Sequence, residues 1–119
     1  MAMIESIVRN HVLTALSTDH IPVYLDVDPG HPGEYVVLER TGGGVENHIN
    51  RAQFAVQSYA TTMAKAAALN EKAKAAMDSL ITLDNIGSSA LQADYNFTDT
   101  STKKYRYQAV YDIVYCTEV

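Results

Sequence analysis

Apolar positions recur at spacings of three and four over residues 3–17, at Ile4, Ile7, Val8, His11, Val12 and Leu16. That period lays them on one stripe of a helix. Glu5 stands in the first turn, where the positive end of the helix dipole favours a carboxylate. Ser17–His20 breaks the pattern, and Pro22 biases Ile21 away from the helical region. Pro22–Val27 then reads as a short strand. Asp28–Gly33 is a Pro/Gly turn. Tyr35–Arg40 is a second strand, and its near-continuous apolar run asks for cover on both faces or an interface. Thr41-Gly42-Gly43-Gly44 follows. Consecutive glycines lose much backbone entropy on ordering, so Thr41 to about Asn50 is expected to be a mobile loop unless a partner pins it. Ala52–Tyr59 is a third strand, with Phe54 and Val56 on one face and Gln53, Gln57 and Tyr59 on the other.

Residues 61–81 carry the clearest helical signal, being rich in Ala, Lys, Leu, Met and Glu. Thr61 or Thr62 supplies the N-cap. Met63, Ala66, Ala67, Asn70, Ala73, Met77 and Leu80 trace one stripe. Most of it is alanine, which permits close approach to a sheet or helix. Lys65, Lys72 and Lys74 lie mostly off that stripe, on an expected solvated face. Leu91–Thr98 is strand-like again, and Asp99–Thr102 is a polar turn. Lys104–Glu118 reads as one long strand of about 50 Å at 3.3 Å per residue, longer than the usual strand. It is expected to bend at a bulge or to reach another subunit. Helix, three strands, helix, two strands predicts an α+β fold. The expectation is one domain over residues 1–119, a mostly antiparallel sheet of about five strands with two helices on one face.

Composition narrows the functional classes. A chain of 119 residues suits one compact domain. No apolar run is long enough to span a bilayer, and Met1–Glu5 lacks the basic start of a secretory signal. Cys116 is the single cysteine, so no intramolecular disulfide can form, and its apolar surroundings suggest a small buried hydrophobe. The formal net charge is −5. Such an acidic chain lacks the footprint for phosphate backbones, so direct specific nucleic-acid binding is not expected.

Motifs for catalysis are missing. There is no P-loop and no G-x-G-x-x-G; the glycines at 42–44 join two strands, whereas a phosphate loop precedes a helix. His11 falls on the apolar side of the first helix, where a packed imidazole is the simpler reading. His20, His31 and His48 fall in predicted loops, without metal-ligand spacing. The best candidate metal cluster is His20, Asp26, Asp28, His31 and Glu34, with a plain polar turn as the competing interpretation. No catalytic residue, cofactor or resident metal is expected. The unusual feature is tyrosine. Of eight in the chain, Tyr105, Tyr107, Tyr111 and Tyr115 share one face of the last strand. Tyrosine suits surfaces partly buried and partly polar, and interfaces are enriched in it. With Gly42, Gly43 and Gly44 they are the candidate oligomer or tube contacts; a sheet face packed under helices is the alternative.

In their order these signals resemble the tail terminator and tail-completion family of siphophages, which includes the tail terminator of phage lambda. The resemblance spans almost the whole chain. It runs through the N-terminal helix, Pro22-Val23-Tyr24-Leu25, Tyr35-Val36-Val37-Leu38-Glu39, glycines 42–44, Phe54-Ala55-Val56-Gln57-Ser58-Tyr59-Ala60, the Ala-rich helix with Ala64–Leu69, and Tyr105-Arg106-Tyr107-Gln108-Ala109-Val110-Tyr111-Asp112-Ile113. It implies a structural protein, not an enzyme, that forms a ring, usually a hexamer. The ring stops tail-tube polymerisation and offers a surface to the head connector. The implied partners are other copies of the chain, the major tail tube protein and the head-tail connector protein. The implied location is the bacterial host cytoplasm during assembly, then the virion tail or neck. Two other interpretations stay open: a head-completion or head-tail adaptor protein, and a small metal- or ligand-binding α+β domain using the Asp26–Glu34 turn.

Overall fold

The computed structural model describes residues 3–25, 33–46, 49–98 and 104–116. Their elements are α1 (Ile4–Ala15), β1 (Val23–Leu25), β2 (Tyr35–Glu46), β3 (Ile49–Ala60), α2 (Met63–Asp78), β4 (Ile86–Asn96) and β5 (Tyr105–Tyr115), with short 3₁₀ turns after each helix. The strands form one sheet in the order β1-β2-β3-β5-β4. β2–β3, β3–β5 and β4–β5 are antiparallel, and β1–β2 is parallel. The fold is α+β as expected, with one parallel pair making the sheet mixed.

One face of the sheet is closed by both helices. Ile4, Val8 and Val12 of α1 meet the core, together with Ala66, Leu69, Ala73, Ala76 and Met77 of α2. The sheet contributes Val36, Leu38, Ala52, Phe54, Val56, Ala109, Tyr111 and Ile113. These strand positions alternate along each chain segment, as the two-residue period of a strand requires. The buried alanines on α2 let its backbone lie close to β3 and β5. Thr62 caps the helix by accepting a hydrogen bond from the Lys65 amide, at 3.2 Å.

Three expectations are corrected. The segment after Arg40 is strand, not loop: Gly42, Gly43 and Gly44 pair with Gln53, Ala52 and Arg51. A bulge at Thr41 absorbs one residue between Arg40 and Gly42. The Thr41 hydroxyl donates to Gln53 Oε1 at 3.0 Å. The entropy lost by the glycines is offset by ladder hydrogen bonds, and Gly43 adopts a φ of +142°, which other residues rarely reach. Cys116 is exposed just beyond β5 rather than buried, because the sheet ends there. Lys74 does not simply point to solvent; its ammonium reaches Asp94 on β4 at 2.6 Å and Glu71 at 2.7 Å. Burial pushes the Asp94 carboxyl upward, but hydrogen bonds from Lys74 and Asn70 and the Lys74 charge hold it below its usual value. The Asp94 hydrogen bond in turn raises the Lys74 pKa, with Glu71 adding to it.

Tyr111 sits beneath α2 with none of its surface exposed. Its hydroxyl lies 2.9 Å from Asp78 Oδ1 and 3.2 Å from the Lys74 carbonyl, with one proton to donate between them. Burial, and then the hydrogen bond to Asp78, raise its pKa above the usual 10.0. The folded state therefore keeps a proton that the unfolded chain releases. That stabilisation is present below pH 10.0 and is lost as the pH rises from there toward the folded pKa. Denaturant titrations should show Tyr111→Phe costing about 1 kcal/mol at neutral pH. Above pH ~10 the variant should lose less stability than the parent, so the gap closes or reverses. A gap that stays constant with pH would contradict this placement of the hydroxyl.

Candidate assembly surface

Strand alternation places the other side chains on the sheet face opposite the helices. β3 sends Ala52, Phe54 and Val56 to the core, so Gln53, Gln57 and Tyr59 face the other way. Register with β3 then sends Arg106, Gln108 and Asp112 of β5 to the same side, opposite Tyr59, Gln57 and Gln53.

One row of rings crosses the whole sheet. Tyr24 of β1 meets Tyr35 of β2 edge to face, with centroids 6.2 Å apart. Tyr35 stacks on Tyr59 of β3 at 4.5 Å and an interplanar angle of 7°. The Arg106 guanidinium of β5 lies 5.4 Å from the Tyr59 ring centroid and 4.3 Å from that of Phe97, which follows β4. Phe97 meets Tyr95 of β4 edge to face at 5.7 Å. The row visits all five strands in their order in the sheet. Tyr35, Val37 and Tyr59 are buried in it, whereas Tyr95 and Phe97 are exposed.

Hydrogen bonds knit the same face. Arg106 Nη1 donates to the Tyr59 hydroxyl at 2.8 Å, and Arg106 Nε to the Phe97 carbonyl at 2.9 Å. The Tyr59 hydroxyl donates to Gln57 Oε1 at 3.3 Å, and Gln57 Nε2 to Gln108 Oε1 at 2.9 Å. Gln108 Nε2 donates to the Tyr95 hydroxyl. Gln53 Nε2 donates to Asp112 Oδ1 at 3.3 Å. Amides, phenols and a guanidinium suit recognition by stacking and hydrogen bonding.

The glycines form the floor of an open groove of about 360 Å³ at the other end of this face, lined by Gly42, Gly43, Gly44, Val45, Arg51, Ala52, Gln53 and Asp112. Added Cβ atoms at Gly42 and Gly44 would meet nothing within 4 Å, but one at Gly43 would lie 2.3 Å from the Arg51 carbonyl oxygen. Only Gly43 is thus required by the backbone; the other two keep the floor low.

The tyrosines proposed from sequence lie on the opposite side. Tyr105, Tyr107, Tyr111 and Tyr115 do share a face, but it is the face under the helices. Tyr111 is core and is corrected as a contact residue: it can touch no tube or neighbour without removing α2. Tyr115 packs half-buried against the same core, and Tyr105 and Tyr107 are half-buried nearer the start of β5. The missed tyrosines, Tyr24, Tyr35, Tyr59 and Tyr95, make up the second face. The available signal was the two-residue alternation itself, with Tyr59 already opposite Phe54 in parity and Arg106 already opposite Tyr105.

His11 meets Ser79 through Nε2, at 2.7 Å, and so serves helix packing. Of the candidate metal cluster, Asp26, Asp28 and His31 lie outside the described residues, as does His48. His20 and Glu34 are exposed. Among the described residues, no group of three or more His, Cys, Asp or Glu gathers in a way that could hold a metal ion. Among the described residues, no helix is long and apolar enough to cross a membrane. Compared with protein-family models and with curated proteins, the chain has no match.

The glycine triplet should divide under substitution. Gly43→Ala is expected to destabilise the fold by about 1–3 kcal/mol, from backbone strain and the clash with Arg51. Gly42→Ala and Gly44→Ala should stay within about 0.5 kcal/mol of the parent. Thermal unfolding of the three variants checks this. Equal losses at all three positions would show that the bulge conformation is not as described.

Proposed function

We propose that the chain is a structural, non-enzymatic protein that caps the tail tube of a tailed bacteriophage or prophage as a ring. It would end tube polymerisation and provide the surface that joins the head connector. The observation that carries this reading is that, among the described residues, the sheet ends in two different edges. β1 covers only Val36–Leu38 of β2, and no described strand pairs with the rest of that edge. β4 closes the sheet at its other end. Rings are built from heterologous contacts, one edge of a subunit against a different edge of the next.

The sequence resemblance supports the same role. Its segments fall on the central elements: Tyr35–Glu39 in β2, Phe54–Ala60 in β3, Ala64–Leu69 in α2 and Tyr105–Ile113 in β5. The partners in this account are other copies of the chain in a hexameric ring, the major tail tube protein and the head-tail connector protein. No cofactor takes part. A head-completion or adaptor role would use the same subunit and differ only in its partner.

The test is electron microscopy of a lysate induced from a host carrying the deleted gene. Tails of overlong, irregular length beside unattached filled heads are expected. Tails of normal length beside unjoined heads would move the protein to the head-joining step. Intact phage in normal yield would overturn the assignment.

A further inference from the structure

We infer that one copy of the chain joins the next by continuing the sheet, the upper edge of β2, which no described strand covers, pairing with β4 of a second copy. The inference rests on the ring assembly just proposed and names its contact.

Register places the two edges at one height. Gly44 is level, through Arg51 and Val114, with Ser88. Gly43 is likewise level with Ser89, through Ala52 and Ile113, and Gly42 with Ala90, through Gln53 and Asp112. The part of β4 level with Val36–Leu38 is Asp94–Asn96, so among the described residues β1 lies beside only the lower half of the junction. No register shift falls within either upper half: the bulges lie at Thr41 on β2, and at Gly87 and Gln92 on β4.

Strand direction agrees. β3 is antiparallel to β2, β5 to β3 and β4 to β5, so β4 runs opposite to β2. Rotation about an axis along the strands preserves direction. The next copy's β4 therefore arrives antiparallel to β2, the pairing with the more favourable hydrogen-bond geometry. No axial shift is needed, so the operation can close into a ring.

The amides point the right way. The Val36 N–H donates to the Pro22 carbonyl, so even-numbered β2 residues before the bulge face outward. The extra residue at Thr41 reverses that parity, turning Gly43 and Val45 outward. On β4 the Phe97 N–H donates to the Arg106 carbonyl, and the bulge at Gln92 likewise reverses parity. The outward amides are therefore Ser89 and Leu91. Thr41–Val45 and Ile86–Asn96 contain no Lys, Arg or Pro, residues that commonly block pairing at an edge. Val45 and Leu91 are exposed at 72% and 44%.

The contact is short. A four-residue stretch such as Gly42–Val45 spans about 13 Å, too little for the roughly 1,200 Å² of a stable pairwise interface. Two copies alone should therefore hold weakly. Closure, or the end of a tube, lets every subunit use both edges at once. A monomer in dilute solution is the expected resting state.

Disulfide trapping tests the contact. Gly42→Cys and Ala90→Cys are combined with Cys116→Ser. Within one chain β3 and β5 separate these positions by about 14 Å, too far for a disulfide, so any bond formed links two chains. The level match makes Gly42 and Ala90 a non-hydrogen-bonded pair across the junction, the closer kind. Mild oxidation over a range of concentrations should give a ladder through trimers to a closed ring, while each single-cysteine control stops at dimer. Adding Val45→Pro, which removes an outward amide and no bond to β3, should cut the ladder at least tenfold. Circular dichroism checks that each variant stays folded. A folded double-cysteine variant with no species above dimer, or a ladder indifferent to Val45→Pro, would overturn the inference. A ladder from a protein whose deletion leaves tails normal would keep the contact and remove the tail role. Capped tails without a ladder would do the reverse.

Discussion

The uninterrupted pairing of β3 with β5 sets the rest of the molecule. It runs from Asn50 opposite Tyr115 to Ala60 opposite Tyr105 without a bulge. Because side chains alternate along a strand, this one register decides what each face carries. It sends Phe54, Val56, Tyr111 and Ile113 under the helices, and Gln57, Tyr59, Arg106 and Gln108 to the other side. A slip of one residue between the strands would bring Asp112 toward the core and turn Tyr111 out. The alanines of α2 matter because they let the helix settle on this ladder. The buried Tyr111 hydroxyl then finds Asp78 on the helix itself.

Among the described residues, bulges occur on β2 and β4, the strands that flank the β3–β5 pair, and they shape the ends of the sheet. Each lets its strand change parity against a straight centre. On β2 the change at Thr41 turns the glycines into a flat edge and a low groove floor. On β4 the changes at Gly87 and Gln92 bracket a short regular stretch. The second face is ordered in a different way, by rings and amides that cross every strand. Tyr35 on Tyr59 and Arg106 between Tyr59 and Phe97 tie neighbouring strands together across this face.

Much of this order was legible in the chain. The stripe of Ile4, Val8 and Val12 gave α1, and the alanine-rich stripe gave α2. The alternation of Phe54 and Val56 against Gln53, Gln57 and Tyr59 is the alternation observed. The conformational freedom of the glycine triplet predicts mobility, but the ladder with β3 holds the segment extended. Gly43 answers a backbone requirement, its positive φ, while all three pair with β3. Tyrosine is no surer guide, since side-chain type says nothing about which face the helices will cover. That choice depends on register between β3 and β5, which are far apart in sequence. The parallel placement of β1, the exposure of Cys116 and the reach of Lys74 to Asp94 are likewise products of tertiary position. Local pattern does not encode them.

The central claim is that the upper edges of β2 and β4, which no described strand covers, pair with other copies of the chain. Residue-resolved amide hydrogen exchange measures it directly. In dilute protein the amides of Gly43, Val45, Ser89 and Leu91 should exchange fast, while those of Phe54, Val56, Ala109 and Tyr111 are protected. In the assembled ring the first group should become protected and the second stay unchanged. Protection of the first group already in the dilute chain, or fast exchange there in the assembled ring, would contradict the account.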